Sequence, residues 1–226
     1  SEDNIEQAIC NRLSQPEYGW KRIECSPELE DQDEVASTGR ANASECILPE
    51  VFLSALRRLN PQIDDEILKN ILQDFRKDYS GTDMVDTNYK FYNQIRNGIK
   101  VKTRNQHRED FDIVKLIDFD HPERNDFHCV NQMWIKGHFR YRRPDVLLFV
   151  NGLPVVFIEL KNSTVKIEES YNKNLVSYRK DIPNIFAMNQ ICVLSNGLQT
   201  KIGAWNAGYE FFFEWLRVNN EKEKLN

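Results

Sequence analysis

At 226 residues, with 40% hydrophobic and 29% charged residues, the chain is long enough for one large domain or two small ones with a buried core. A net charge of −5 argues against a generic nucleic-acid binder relying on a basic surface, and no apolar run approaches the ~18 residues of a membrane span. Five scattered cysteines without a C-x-x-C pair, four histidines without ligand spacing, and a start (Ser1-Glu2-Asp3-Asn4) unlike a signal peptide speak against zinc and for reduced intracellular thiols.

In chain order, residues 3–13 are predicted as a helix. Asp3 or Asn4 is a candidate cap, and Ile5, Ala8, Ile9, Arg12 and Leu13 have the spacing of one face. A turn over Pro16–Gly19 precedes Trp20. Residues 26–45 read as an exposed acidic loop or short helices. A helical block follows: Pro49–Leu59, stopped by Asn60-Pro61; Ile63–Tyr79, broken by Ser80-Gly81; and Asn88–Gly98, closed by glycine. The texture then changes to strands at Ile99–Arg104, Phe111–Phe119 and Phe127–Phe139. Residues 168–182 return to helix, with Tyr171, Leu175 and Tyr178 on one stripe. Ile191–Ser195 reads as a buried strand ended by Asn196-Gly197, and Lys201–Ala204 starts another. The aromatic tail Tyr209–Trp215 belongs to core or interface, and Glu221–Lys224 to a frayed end. This order predicts an α/β fold: a central mixed sheet flanked by helices, with a helical insertion at about 49–98.

Charge is spread unevenly. Glu24 to Glu50 holds eight acids against one base, Arg40, whereas Phe127 to Pro144 holds no acid and carries Lys136, Arg140, Arg142 and Arg143. A solvated basic hairpin is the simple reading of that run. Its position just before Asp145 suggests a second one, in which the bases hold phosphate beside carboxylates.

Between Arg143 and Lys161 lies the densest chemistry. Arg143-Pro144-Asp145 leads into the apolar strand Val146–Val150, Asn151-Gly152 marks a turn, and Val155–Ile158 leads into Glu159-Leu160-Lys161. Side chains alternate along a strand, so Glu159 and Lys161 share a face and Leu160 points away. Asp145 and Glu159 could supply the one or two carboxylates that Mg²⁺ takes, and the Leu160 backbone carbonyl a further oxygen. Lys161 would orient or help deprotonate an attacking water and offset developing negative charge. A plain two-residue turn pairs 145 with 158 and puts the two acids on opposite faces. A shared ion therefore requires a three-residue loop or a bulge, and such an irregularity is predicted. The competing structural reading is a solvated salt bridge between Glu159 and Lys161 at a sheet edge.

These residues, with Phe149-Val150-Asn151-Gly152-Leu153-Pro154 and Glu159-Leu160-Lys161-Asn162, resemble the PD-(D/E)xK nuclease core. More narrowly, the chain resembles the N-terminal domain of the restriction (motor) subunit of Type I restriction–modification enzymes. The likeness extends to Ile5-Glu6 through Trp20, Leu59-Asn60-Pro61, Phe111 through Phe127 with Asn131-Gln132, Tyr178 through Phe186, Asn189, and Ser195-Asn196-Gly197.

The resemblance implies a restriction-endonuclease-like fold and a single endonuclease domain over 1–226, with its core at about 99–205. It implies that the chain is part of a longer one whose ATP-dependent motor is absent. Asp145, Glu159 and Lys161 fall on the catalytic positions. The cofactor implied is Mg²⁺, with Mn²⁺ as a substitute, and ATP is used only by the full-length subunit, since no G-x-x-x-x-G-K-[ST] loop occurs here. Products would carry 5′-phosphate and 3′-hydroxyl ends. Implied partners are double-stranded DNA, the motor domains of the same polypeptide, and the methyltransferase and specificity subunits, in a cytoplasmic setting with no membrane.

The family's Gln-x-x-x-Tyr motif corresponds to Asn174–Tyr178, with Asn in place of Gln. Glu6 is a further candidate metal ligand from the first helix, its alternative being a first-turn acid favoured by the helix dipole. Arg143, Arg142 and Lys136 are candidate DNA contacts. Two other readings stand beside this one: the nuclease domain of another DNA-processing machine, and a non-cleaving DNA-binding or docking module of the same fold.

Overall fold

A computed structural model describes residues 1–25, 35, 37–105 and 108–215. Most of the acidic segment (26–34 and 36) and the Glu221–Lys224 end lie outside the described residues. Seven strands form one mixed sheet: β1 (Lys21–Glu24), β4 (Phe127–Asn131), β7 (Val146–Val150), β8 (Leu153–Leu160), β9 (Ile191–Ser195), β10 (Thr200–Gly203) and β11 (Phe213–Glu214), adjacent in that order. β1 runs parallel to β4 and β8 parallel to β9, while the other pairs are antiparallel. Two separate hairpins stand off the sheet, β2 (Ile99–Asn105) with β3 (Arg108–Val114), and β5 (Ile135–Lys136) with β6 (Tyr141–Arg142). This is the predicted mixed α/β class, restriction-endonuclease-like in its helix-flanked central sheet.

Alternation along the strands builds the layers. Val146, Leu148, Ile158 and Leu160 face α1 (Glu2–Leu13), whose Ile5, Ile9 and buried Cys10 cover them. The Cys10 and Cys129 thiols lie 3.3 Å apart in that layer. Leu147, Phe149, Phe157 and Leu194 face the opposite layer, made of α5 (Ile167–Glu169), a π-helical turn (Ser170–Leu175) and α6 (Val176–Asp181). The predicted stripe Tyr171, Leu175 and Tyr178 is buried there. The helices α2 (Pro49–Leu59), α3 (Asp65–Phe75) and α4 (Met84–Asn97) pack around Phe52, Phe75 and Phe91 against Leu153 and Val155 at the turn end of β7–β8. Among the described residues no helix is long and apolar enough to cross a membrane.

Element boundaries moved where side chains cap or break the chain. Ser1, rather than Asp3 or Asn4, caps α1. α3 starts two residues after the predicted Ile63 because Asp64 caps it, and it ends at Phe75, with Arg76 as its C-cap, rather than at Tyr79. α4 begins at Met84, four residues before the predicted Asn88, because the Asp83 carboxylate accepts hydrogen bonds from Val85 and Asp86 N–H. The strand expected over 111–119 lies at Arg108–Val114. Beyond it, Leu116 and Asp118 bond instead to the Asn151 and Asn125 side chains. Gln132, at φ 60, divides the strand expected over 127–139.

The described part of the segment read as an exposed acidic loop or short helices holds buried charge. Glu45 is 2% exposed and held by Arg76 and by Ala41 N–H at 2.6 Å, while buried Arg40 donates to the Glu45 and Trp134 carbonyls. Charge that finds a partner need not face water.

Candidate active site

The hairpin that carries the acids has the predicted irregularity. Asn151 (φ 51) and Gly152 (φ 80) both lie in the left-handed region, which makes a two-residue type I′ turn. A side chain at Gly152 would meet the Leu48 carbonyl at 2.6 Å, so only glycine fits that turn. Pairing runs Val150 with Leu153 and Phe149 with Pro154, then shifts, so that Leu148 faces Val156 and Val146 faces Ile158. The bulge at Val155 thereby sets Asp145 level with Glu159, on one face of the sheet.

Asp145 precedes β7 and is anchored at both its backbone and its carboxylate. Its carbonyl accepts from Gln132 N–H at 2.9 Å, and its Oδ2 accepts from Leu160 N–H at 2.7 Å. Glu159 is 1% exposed, on a strand flanked on both sides by β7 and β9. That rules out the solvated sheet-edge salt bridge. Its Oε1 accepts from Lys161 Nζ at 2.9 Å and from Asn174 Nδ2. Its Oε2 is buried and accepts no hydrogen bond of ordinary geometry, although the Tyr178 hydroxyl lies close to the carboxylate. Lys161 Nζ also donates to the Leu160 carbonyl at 2.8 Å, so that expected metal-facing oxygen is engaged by the ammonium.

The electrostatics follow from burial. Desolvation, against the pull of Leu160 N–H and Lys161, pushes Asp145 up to about 6. Desolvation and then the Asp145 charge push Glu159 up to about 8. Burial opposes the Lys161 ammonium, but Glu159, Glu2 and Asp145 outweigh it, and the pKa of Lys161 is raised. Lys161 is therefore a cation here and not a free base. Two acids that resist ionising together, one with an unused buried oxygen, form a site that a positive charge would complete.

That donor set fits a small hard cation. Among the described residues no three or more His, Cys, Asp or Glu side chains gather as a cage. Mg²⁺ commonly takes only one or two carboxylates and leaves its other positions to water and phosphate.

The remaining candidates divide. Asn174, in the π-helical turn, reaches Glu159 despite its short side chain. Such turns mark functional sites more often than chance. Tyr178 packs its ring edge-on to Phe157, 5.4 Å between centroids, and its hydroxyl donates to the Arg143 carbonyl at 3.4 Å. Its pKa is raised by burial and then by Glu159 and Asp145. Core packing and proximity to the site are thus both present in Tyr178. Glu6 is buried near Asp145, but its two oxygens accept from Asn131 Nδ2 (2.8 Å) and Gln132 Nε2 (2.5 Å). Arg142 is committed to Asp181 at 2.6–2.7 Å, the Arg143 guanidinium lies 5.0 Å over the Trp134 ring, and exposed Lys136 lies 5.5 Å over Tyr141.

Sequence reasoning missed Gln132 and Glu2. Glu2 approaches Lys161 at 3.9 Å and accepts from Asn162 N–H at 3.3 Å. Gln132 Nε2 spans Glu6 and Asp145 Oδ1, the latter at 3.4 Å, from a left-handed backbone that few glutamines adopt. The pair Asn131-Gln132 was visible as a motif, but nothing local signalled the φ that aims it. Gln132→Ala is expected to weaken Mn²⁺ binding roughly 10- to 100-fold, the usual cost of losing a group that orients a ligand. Gln132→Gly should lose the same affinity while keeping the melting temperature, because it relieves the backbone strain. Manganese titration followed by electron paramagnetic resonance, beside a melt, checks both. Native affinity in both variants would remove Gln132 from the site.

The family described as Type I restriction enzyme R protein N terminus matches residues 1–211. Across 99% of its length the chain is 30% identical to the Type I restriction enzyme HindI endonuclease subunit of Haemophilus influenzae, covering 21% of that protein. Across 97% it is 29% identical to the putative type I restriction enzyme MjaIXP endonuclease subunit of Methanocaldococcus jannaschii, again covering 21%. Half of the chain is 30% identical to the Type I restriction enzyme SsaAORF53P endonuclease subunit of Staphylococcus saprophyticus. The chain thus spans about one-fifth of the length of the first two relatives.

Proposed function

The chain belongs to the family of Type I restriction enzyme R protein N termini, and from that membership and the geometry at Asp145 and Glu159 we propose that it is a divalent-metal-dependent DNA endonuclease domain. The observation that carries this reading is the Glu159 carboxylate. It is buried, raised to about 8, unpartnered at Oε2, and level with Asp145. Buried polar oxygens are ordinarily hydrogen-bonded, and here the unbonded one belongs to a carboxylate set level with a second acid.

Asp145 and Glu159 would hold Mg²⁺ or Mn²⁺, in the PD-(D/E)xK pattern. When bound there, the ion supplies Lewis-acid compensation of negative charge at the phosphate. The chain's own groups do the rest. Asn174 and Lys161 fix the Glu159 carboxylate through Oε1 and leave Oε2 for the ion. Leu160 N–H fixes Asp145. The Lys161 ammonium orients the attacking water and stabilises charge on the phosphate oxygens. Attack at phosphorus forms the new P–O bond as the bond to O3′ breaks. The 5′ end keeps the phosphate, and the proton that the attacking water loses passes through solvent to the departing O3′. Phe157 and the Tyr178 ring wall the site on the helix side.

In this reading, residues 1–226 form one nuclease domain of a longer cytoplasmic subunit. The three helices over 49–98 are its insertion. An ATP-driven motor on the same polypeptide delivers duplex DNA, and methyltransferase and specificity subunits choose the target. The test is a full-length subunit assembled with its partners. Asp145→Ala is expected to leave ATP hydrolysis at the native rate and abolish cleavage of unmodified plasmid. Cleavage persisting in Asp145→Ala would refute the assignment.

A further inference from the structure

The β5–β6 hairpin bears an aromatic side chain that the fold leaves in solvent. Phe139, at its tip, is 88% exposed, more than any other large hydrophobic residue described. The tip is held firmly from below. Gly137 N–H donates to the Arg140 carbonyl at 2.8 Å and closes the turn. Lys136 donates its N–H to the Ala43 carbonyl and accepts from Asn184 Nδ2. Arg142 clamps the other strand to Asp181. Gly137 sits so close to the end of α6 that a Cβ there would fall 1.8 Å from the Asp181 carbonyl. A tip anchored in this way loses little entropy when it meets a ligand.

The surroundings are cationic. His138, Phe139, Arg140, Arg142, Lys180 and Asp181 line a cavity of about 310 Å³, whose one acid, Asp181, is held by Arg142 at 2.6 Å and only distantly by Arg140 at 3.8 Å, which leaves the lining net positive. Lys136 lies across from Tyr141, itself 43% exposed, on the same hairpin. Exposed rings interleaved with ammonium and guanidinium groups fit a nucleic-acid strand, whose bases stack on the rings while its phosphates meet the cations. A protein partner matched to bare phenyl alone would not need the surrounding positive charge. Phe139 lies six positions before Asp145, at most about 20 Å of extended chain, or roughly six base steps along a duplex strand.

We propose that the β5–β6 hairpin is a DNA-gripping arm: Phe139 stacks against a base within about six steps of the scissile phosphate, and Arg140 and Lys180 hold phosphates beside it. This rests on the nuclease reading for its ligand, but not on the metal. The test is binding of fluorescent oligonucleotides, single-stranded and duplex, to the chain in EDTA, with 2-aminopurine placed at successive positions. Phe139→Ala is expected to weaken binding roughly 5- to 100-fold, and Phe139→Trp to restore it. The Arg140→Ala, Lys180→Ala pair should flatten the salt dependence by about two phosphate contacts. One 2-aminopurine position should change emission with the native chain and not with Phe139→Ala. A larger loss on single strands than on duplex marks an unpaired base as the partner, and equal losses mark insertion at a duplex step. Native affinity and an unchanged emission in Phe139→Ala would overturn the arm, as would failure of the native chain to bind DNA at low salt. Loss of association with another subunit at unchanged DNA binding would overturn it in favour of a protein contact. Manganese binding by the same variants separates this failure from failure of the metal site, since Phe139 touches neither carboxylate.

Discussion

Replacing Lys161 by alanine is expected to slow DNA cleavage at neutral pH by roughly 10²- to 10³-fold, the scale for losing one donor aimed at developing charge. The effect should be compound. Lys161 offsets both acids, and its ammonium lies 2.9 Å from Glu159 Oε1. Without it the Glu159 carboxyl, already raised to about 8, rises further. More of the protein then carries a protonated Glu159 that cannot hold a cation. The residual activity of Lys161→Ala should therefore climb more steeply with pH than native activity does. Lys161→Arg should not restore the native rate, because a planar guanidinium does not reproduce an ammonium shared by Glu159 Oε1 and the Leu160 carbonyl. Rates across pH 6–9 at a fixed, subsaturating Mg²⁺ concentration measure this. A native pH profile in Lys161→Ala would contradict the role given to the ammonium.

The second large effect concerns stability without metal. Glu159 titrates near 4.5 in an unfolded chain and near 8 when folded, so the folded state binds more protons between those values. Stability therefore falls as pH rises from about 4.5 to about 8, and Asp145, raised from 3.8 to about 6, adds to the fall in the lower part of that window. Glu159→Gln keeps an acceptor for Lys161 and Asn174 and removes the titration. In EDTA at pH 8 it should be more stable than the native chain by about 3–5 kcal/mol, on the order of 10 °C in melting temperature. At pH 5 the two should nearly coincide. Thermal melts in EDTA across this range check the sign. Equal melting temperatures at pH 8 would mean that the Glu159 charge costs the fold nothing.

How much of this was legible in the sequence follows from the range of each interaction. The hairpin was readable because its turn and both strands are local. The face requirement on Asp145 and Glu159 then called for a three-residue loop or a bulge, and the structure has the bulge, at Val155. The helix stripe of Tyr171, Leu175 and Tyr178 was readable by spacing, but the π-helical turn was not, since no residue type encodes one. Long-range electrostatics were hidden. Glu45 looked like part of a solvated acidic stretch because its partner, Arg76, lies 31 positions away. Gln132 was hidden for the same reason, since its value lies in reaching Glu6 across the fold. The basic run before Asp145 was visible as charge, yet sequence could not show that Asp181 would take Arg142 and leave Phe139 at the tip.

The most direct measurement is Mn²⁺ binding at pH 8, by electron paramagnetic resonance, for the native chain and for Glu159→Gln. Expected is one ion per native chain, protection of the native melting temperature by that ion, and loss of both in Glu159→Gln. Undiminished binding in Glu159→Gln, or no bound manganese in the native chain at millimolar concentration, would contradict a cation held between Asp145 and Glu159.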